Sequence, residues 1–249
     1  MRILVTNDDG IENKGLQELV KAIFDRHEVY VVAPDTRYTG YSGAVSFNRL
    51  ISVIEYPLNL GERRSFKVSG TPADCVILAL NKLIGPVDLV ISGINDEPNL
   101  GDDIRLSATL GACRESSFTE TSAIALSLDY GSGKRHYQTV TDFLAIFLNK
   151  WFTLKIPKEV YLNINFPNVP PAQIKGVLFV PAGRCRYKDR VKLVKSKPQI
   201  IYQIYGTKIE EEEKGADSWA VSNNYIAVTP LHRDQTDQKI LSRLKRIKF

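Results

Sequence analysis

Cysteine and histidine are scarce in this 249-residue chain, at three each, and methionine occurs once. Cys75, Cys113 and Cys185 are an odd number, far apart, with no CxxC pair. That excludes a disulfide framework and a zinc knuckle. With only three histidines, His27, His136 and His232, far apart in the chain, a multi-histidine metal centre is not expected. Any metal bound here should be a hard ion on oxygen ligands. No apolar run reaches membrane-spanning length. The opening "MRILVTNDDG" meets carboxylates too early to read as a secretory leader, so a cytoplasmic location is expected. No repeat, low-complexity tract or clear linker interrupts the chain.

The composition, 43% hydrophobic and 24% charged, is that of a globular domain with an ample core. The net charge of +5 gathers in "RCRYKDRVKLVKSK" (184–197) and "KILSRLKRIKF" (239–249). No RNP, KH or helix-turn-helix pattern accompanies these stretches, which argues against a nucleic-acid partner and for solvated basic faces.

Element by element, "RILVTN" (2–7) reads as a buried strand. "NKGLQELVKAIFDRH" reads as a helix capped by Asn13, and "EVYVVAP" (28–34) as a second strand. This is a βαβ unit. Helices are expected at 71–85, with Pro72 in the first turn and Gly85 at the end, and at 107–118 and 137–151. Strands are expected at 87–95, 122–128 and 160–167. Such alternation predicts a doubly wound, mainly parallel α/β sheet with helices on both faces. After about residue 170 the chain turns β-rich. "GVLFVPAG", "KLVKSKPQIIYQIYG" and "NNYIAVTPL" read as hairpin strands around an acidic connector, "IEEEEKGAD", followed by a terminal helix. The expectation is one α/β domain over 1–249, with 1–170 as sheet core and 171–249 as a protruding extension.

In open α/β sheets, ligands bind beyond the carboxyl ends of the strands. Asp8 and Asp9 follow the first strand, Thr39 and Ser42 the second, and Asn95 ends "VDLVISGIN". Two carboxylates, a hydroxyl and an amide suit Mg²⁺ or Mn²⁺. A cation would offset the repulsion between Asp8 and Asp9 and acidify a water for in-line attack on phosphorus. "SGTPAD" (69–74) and "NLGDDIRLSATLG" (99–111) place hydroxyls and N–H groups at helix starts, where phosphate binds. Each piece alone is also an ordinary turn, cap or strand exit. A receiver domain is set aside because no phosphoacceptor Asp follows a third strand. A haloacid-dehalogenase phosphatase is set aside because the carboxylates are adjacent rather than Asp-x-Asp. The remaining alternative is a nucleotide- or RNA-binding module that keeps this fold without turnover.

"MRILVTNDDGI", "VVAPD", "SGTPADCV", "DLVISGIN", "PNLGDDI" and "VTPLH", in this order, resemble the SurE (survival protein E) family of metal-dependent 5′/3′-nucleotidases. The resemblance runs from residue 1 to about 130 and returns at "YLNINFP" and "YIAVTPLHRD". It implies one Mg²⁺ or Mn²⁺ per subunit on Asp8, Asp9, Thr39 and Asn95, with Asp8, Asp9 and Asn95 serving the chemistry. It implies nucleoside monophosphates as substrates, with polyphosphate trimming in some members, and a homodimer or homotetramer built through the C-terminal extension. Asn7, Gly40, Ser42, Thr71, Asn99, Ser107, Thr109 and His232 are the candidate substrate or phosphate contacts. Four positions depart from the family pattern. Thr39 stands for Ser, Gly43 for His, Glu97 for Gly and Ala108 for Gly. They surround the expected cleft and bear on base preference and polyphosphate activity.

Overall fold

The computed structural model describes residues 1–131, 133–184, 186–195, 198–209 and 213–247. Cys185 and parts of the basic and acidic stretches lie outside them. In chain order the elements are β1 (Arg2–Thr6), α1 (Lys14–Ile23), β2 (Glu28–Pro34), β3 (Val53–Glu55), β4 (Arg64–Val68), α2 (Pro72–Leu78), β5 (Leu89–Asn95) and α3 (Ala108–Phe118). They continue with β6 (Ser122–Leu128), α4 (Tyr137–Asn149), β7 (Val160–Phe166), β8 (Gly176–Phe179), β9 (Arg186–Lys195), β10 (Ile201–Ile209), α5 (Asp217–Ser222), β11 (Tyr225–His232) and α6 (Gln238–Leu244).

Nine strands form one sheet in the order β3-β4-β2-β1-β5-β6-β7-β11-β8. Only β3 against β4 and β11 against β7 run antiparallel. Ile3 and Val5 of β1 pack into the layer holding α1 and α4, and Leu4 into the layer holding α2 and α3. Both faces are thus covered, which is why β1, β5 and β6 read as unbroken apolar runs rather than alternating ones. Each fully buried Ile or Leu contributes roughly 1.5–3 kcal/mol. The packing is close: a Cβ added at Gly15 in α1 would lie 2.2 Å from the Ile94 carbonyl oxygen.

The expected α/β architecture is present, and Asn13 caps α1 by accepting from the Gly15 N–H at 2.6 Å. The C-terminal reading needs correction. β8 and β11 are not hairpin strands of a protrusion: they pair in parallel with each other, and β11 joins β7, so the main sheet continues past residue 170. Only β9 and β10 form a separate antiparallel hairpin. Three elements had no counterpart in the sequence reading. β4 opens on the exposed Arg64 and carries Lys67 between buried Phe66 and Val68, and β3 is three residues long, so neither shows an apolar run. α5 is six residues, too short for periodicity, and starts where the acidic connector ends.

The chain leaves β1 in one direction, to β2 and β4, then returns to β5 on the other side of β1. The strand order therefore reverses between β1 and β5, which opens a crevice there.

Candidate active site

At that reversal β1 delivers Asp8 and Asp9, and β5 delivers Asn95. Asp8, Thr39, Gly40, Asn95, Asn99 and Ser107 line one cleft of about 270 Å³, with Asp189 and Gly206 of the β9–β10 hairpin also on its wall. Asp8 is buried, and its Oδ1 accepts a 2.6 Å hydrogen bond from Thr109 Oγ1. Burial pushes its carboxyl up to about 6, against the pull of that hydroxyl, and the neighbouring Asp9 adds to the rise. Asp9 is also raised by burial, with Arg37 drawing it back.

Two elements converge on Asp9. Its Oδ2 accepts from the Asp96 N–H at 3.3 Å, just past β5. Its Oδ1 lies 3.2 Å from Arg37 Nε. Arg37 also donates to Thr39 Oγ1 at 2.7 Å and pairs with Glu97 at 2.8 Å. A guanidinium thus already touches two of the four expected metal donors. Asn95 Nδ2 donates to the Glu97 carbonyl at 2.7 Å, which leaves its oxygen as the lone-pair donor. Beneath the pair, Asn7 Nδ2 holds the Gly10 carbonyl at 2.9 Å, and Asn7 Oδ1 is buried without a partner.

The donor set fits a hard dication. Two covered carboxylates with raised pKa values hold more negative charge than their surroundings balance, and the hydroxyl and amide add neutral oxygen. Among the described residues no group of three or more His, Cys, Asp and Glu is placed to hold a metal ion, at this cleft or away from it, so a cation here would have to draw on the hydroxyl and amide oxygens as well as the two carboxylates.

The remaining expected contacts divide. Ser107 lines the cleft and caps α3, accepting from the Leu110 N–H at 3.1 Å. Asn99 is held by its neighbours: its N–H donates to Asn165 Oδ1, its Nδ2 to Ser127 Oγ, and its carbonyl accepts from Asn163 Nδ2. Ser42 turns aside, its Oγ donating to the Arg105 carbonyl at 2.8 Å. Thr71 is not brought to the cleft. It caps α2, and its hydroxyl donates to the Ala44 carbonyl at 2.6 Å, so the 44–46 loop covers that helix start. His232 is not brought there either. It pairs with Val160 at the start of β7, the end of that strand opposite Phe166 and the cleft.

Residues the sequence reading missed are Arg37, Asp217 and the pair Asn163–Asn165. Asp217 is fully buried and accepts N–H bonds from Gly101, Gly183 and Ser218 at 2.8–2.9 Å, tying the cleft-side turn at 101–105 to the C-terminal segment. Asn163 and Asn165 did leave a signal: two amides at i and i+2 inside an apolar strand, hence on one face.

The family profile described as Survival protein SurE matches residues 3–189. A protein named 5′-nucleotidase SurE from Marinomonas sp. (strain MWYL1) is 37% identical over 240 residues, 95% of this chain and 93% of that one. Another of the same name from Pelotomaculum thermopropionicum is 35% identical, covering 99% and 95%. The crystal structure of a SurE protein from Aquifex aeolicus superposes with a TM-score of 0.84 at 32% identity, covering 98% of each chain. Similarity of that extent, on the sheet order and strand-end donors described above, makes this chain a member of the SurE family.

Proposed function

We propose that the chain is a divalent-metal-dependent phosphomonoesterase that hydrolyses nucleoside 5′-monophosphates, and 3′-monophosphates with them, to nucleoside and phosphate. The observation that carries this reading is the meeting of Asp8, Thr39 and Asn95 in one cleft at the strand-order reversal, with Asp9 next in the chain and bonded to the Asp96 N–H. Relatives bearing the name 5′-nucleotidase SurE support the choice of substrate class.

Asp8, Asp9, Thr39 and Asn95 would hold one Mg²⁺ or Mn²⁺. When bound, that ion supplies positive charge to the phosphoryl oxygens and acidifies a water for attack. The protein's own groups do the positioning. Thr109 favours the ionised form of Asp8 by donating to it. The start of α3 at Ser107 offers backbone N–H groups and a positive helix end to phosphate. Asp217 and the asparagine network hold the 99–105 wall in place.

Assembly into a homodimer or homotetramer through residues 171–249 belongs to the same reading. It is supported by the exposed apolar side chains Val191, Leu193 and Ile204 on the β9–β10 hairpin. No helix among the described residues is long and apolar enough to cross a membrane.

The test is phosphate release from 5′- and 3′-nucleoside monophosphates and short polyphosphate, with Mg²⁺, Mn²⁺ or EDTA, for the native chain and Asp9→Asn. Metal-dependent release that disappears in the variant is expected. No release from folded protein with either metal would leave a binding-only module.

A further inference from the structure

Behind the 101–105 turn lies a second cavity of about 320 Å³, lined by Ser42, Asp102, Arg105, Ser107, Gly111 and Arg114 among others. It shares Asp102, Arg105 and Ser107 with the cleft, so one thin wall separates the two. Arg114 reaches it from the second turn of α3, passing over Gly43. A Cβ at position 43 would lie 2.4 Å from Arg114 Nη2, so the absent side chain is what makes room for the guanidinium. Arg114 Nη2 stands 3.5 Å from Ser42 Oγ. Among the described residues neither Arg105 nor Arg114 has a carboxylate at ion-pair distance. Arg114 is felt by Glu115, and Asp102 is exposed on the rim. The cavity thus presents two guanidiniums against one rim carboxylate. Planar, always-charged forks of this kind suit tetrahedral oxyanions.

We propose that Arg105 and Arg114 form an oxyanion subsite beside the cleft, distinct from the Asp8–Asp9 centre, that takes a phosphate group. Two sources share this chemistry: the second phosphate of a nucleoside bisphosphate seated in the cleft, or free inorganic phosphate. Only the first source rests on the phosphatase reading.

The deciding experiment is calorimetric titration of inorganic phosphate into EDTA-treated protein at fixed ionic strength, with no turnover involved. Native protein should bind. Arg114→Met and Gly43→Ala should each weaken binding at least tenfold, the second by displacing a flexible guanidinium at little cost to folding. Asp9→Asn should leave it unchanged. Absence of binding in the native protein, or loss in Asp9→Asn with retention in Arg114→Met, overturns the subsite. Because metal is absent, a chain that proves to be no phosphatase would still pass or fail this test.

Kinetics then identify the source. A KM for a nucleoside 3′,5′-bisphosphate about tenfold below that for the 5′-monophosphate, equalised in Arg114→Met, assigns the second phosphate of the substrate. Equal KM values, with phosphate inhibition relieved in Arg114→Met, assign free phosphate. Monophosphate turnover should be the same in both proteins.

Discussion

Asp8→Asn should stabilise the metal-free fold, by an amount that grows with pH. Burial raises the Asp8 carboxyl from the ordinary 3.8 to about 6, so the folded chain holds this proton more tightly than the unfolded chain does. As pH rises, the unfolded state releases its proton near 4, and the folded state only near 6. Stability therefore falls across that window, by up to about 1.4 kcal/mol per pH unit and roughly 3 kcal/mol in all. The asparagine side chain carries no such cost, and its oxygen can still accept from Thr109. Urea unfolding in EDTA, followed by circular dichroism, should show the variant's advantage growing by roughly 1–1.5 kcal/mol between pH 5 and pH 8. Titrating groups far from Asp8 are common to both proteins and cancel; Asp9 is relieved of a neighbouring negative charge in the variant, which adds to the variant's advantage in the same direction. Mn²⁺ at a hundredfold excess over its Kd should add about 2.7 kcal/mol to the native chain at pH 8 and little to the variant. An advantage that is flat or shrinks with pH would refute the claim that desolvation governs this carboxyl.

Arg37→Met should tighten Mn²⁺ binding several-fold by calorimetry, because it removes a guanidinium from Asp9 and Thr39; unchanged or weaker binding would show that Arg37 does not compete. Asp217→Ala leaves three backbone N–H groups without their acceptor and should cost roughly 3 kcal/mol or more in urea unfolding. The same variant should raise KM for nucleotide more than it lowers kcat, since Gly101 begins the wall of the cleft; an unaffected KM would confine Asp217 to folding.

Much of this molecule follows from local pattern. The apolar runs of β1, β2, β5 and β6, punctuated by Asn13, Pro72 and Ser107, mark a parallel sheet with helical crossovers because burial on both faces leaves little other choice of side chain. That Asp8, Thr39 and Asn95 would meet at one cleft was legible for the same reason: they are polar residues at the exits of buried strands, and topology sends such exits to one edge. What pattern could not decide was pairing between distant segments. Nothing local says that "GVLFVPAG" and "NNYIAVTPL" pair in parallel and extend the main sheet, or that His232 ends at the opposite edge from the cleft, because strand partners are set by long-range contacts. Nor does the sequence say that Thr71 would be covered by the 44–46 loop, since a helix cap and a phosphate contact draw on the same residue types. The sequence by itself determined the fold class and the sheet edge at which Asp8, Thr39 and Asn95 gather. The tertiary structure alone decided that Arg37 would rest on Asp9 and Thr39, and that Arg114 would occupy the space above Gly43, because charges far apart in the chain find one another only once the sheet has set their positions.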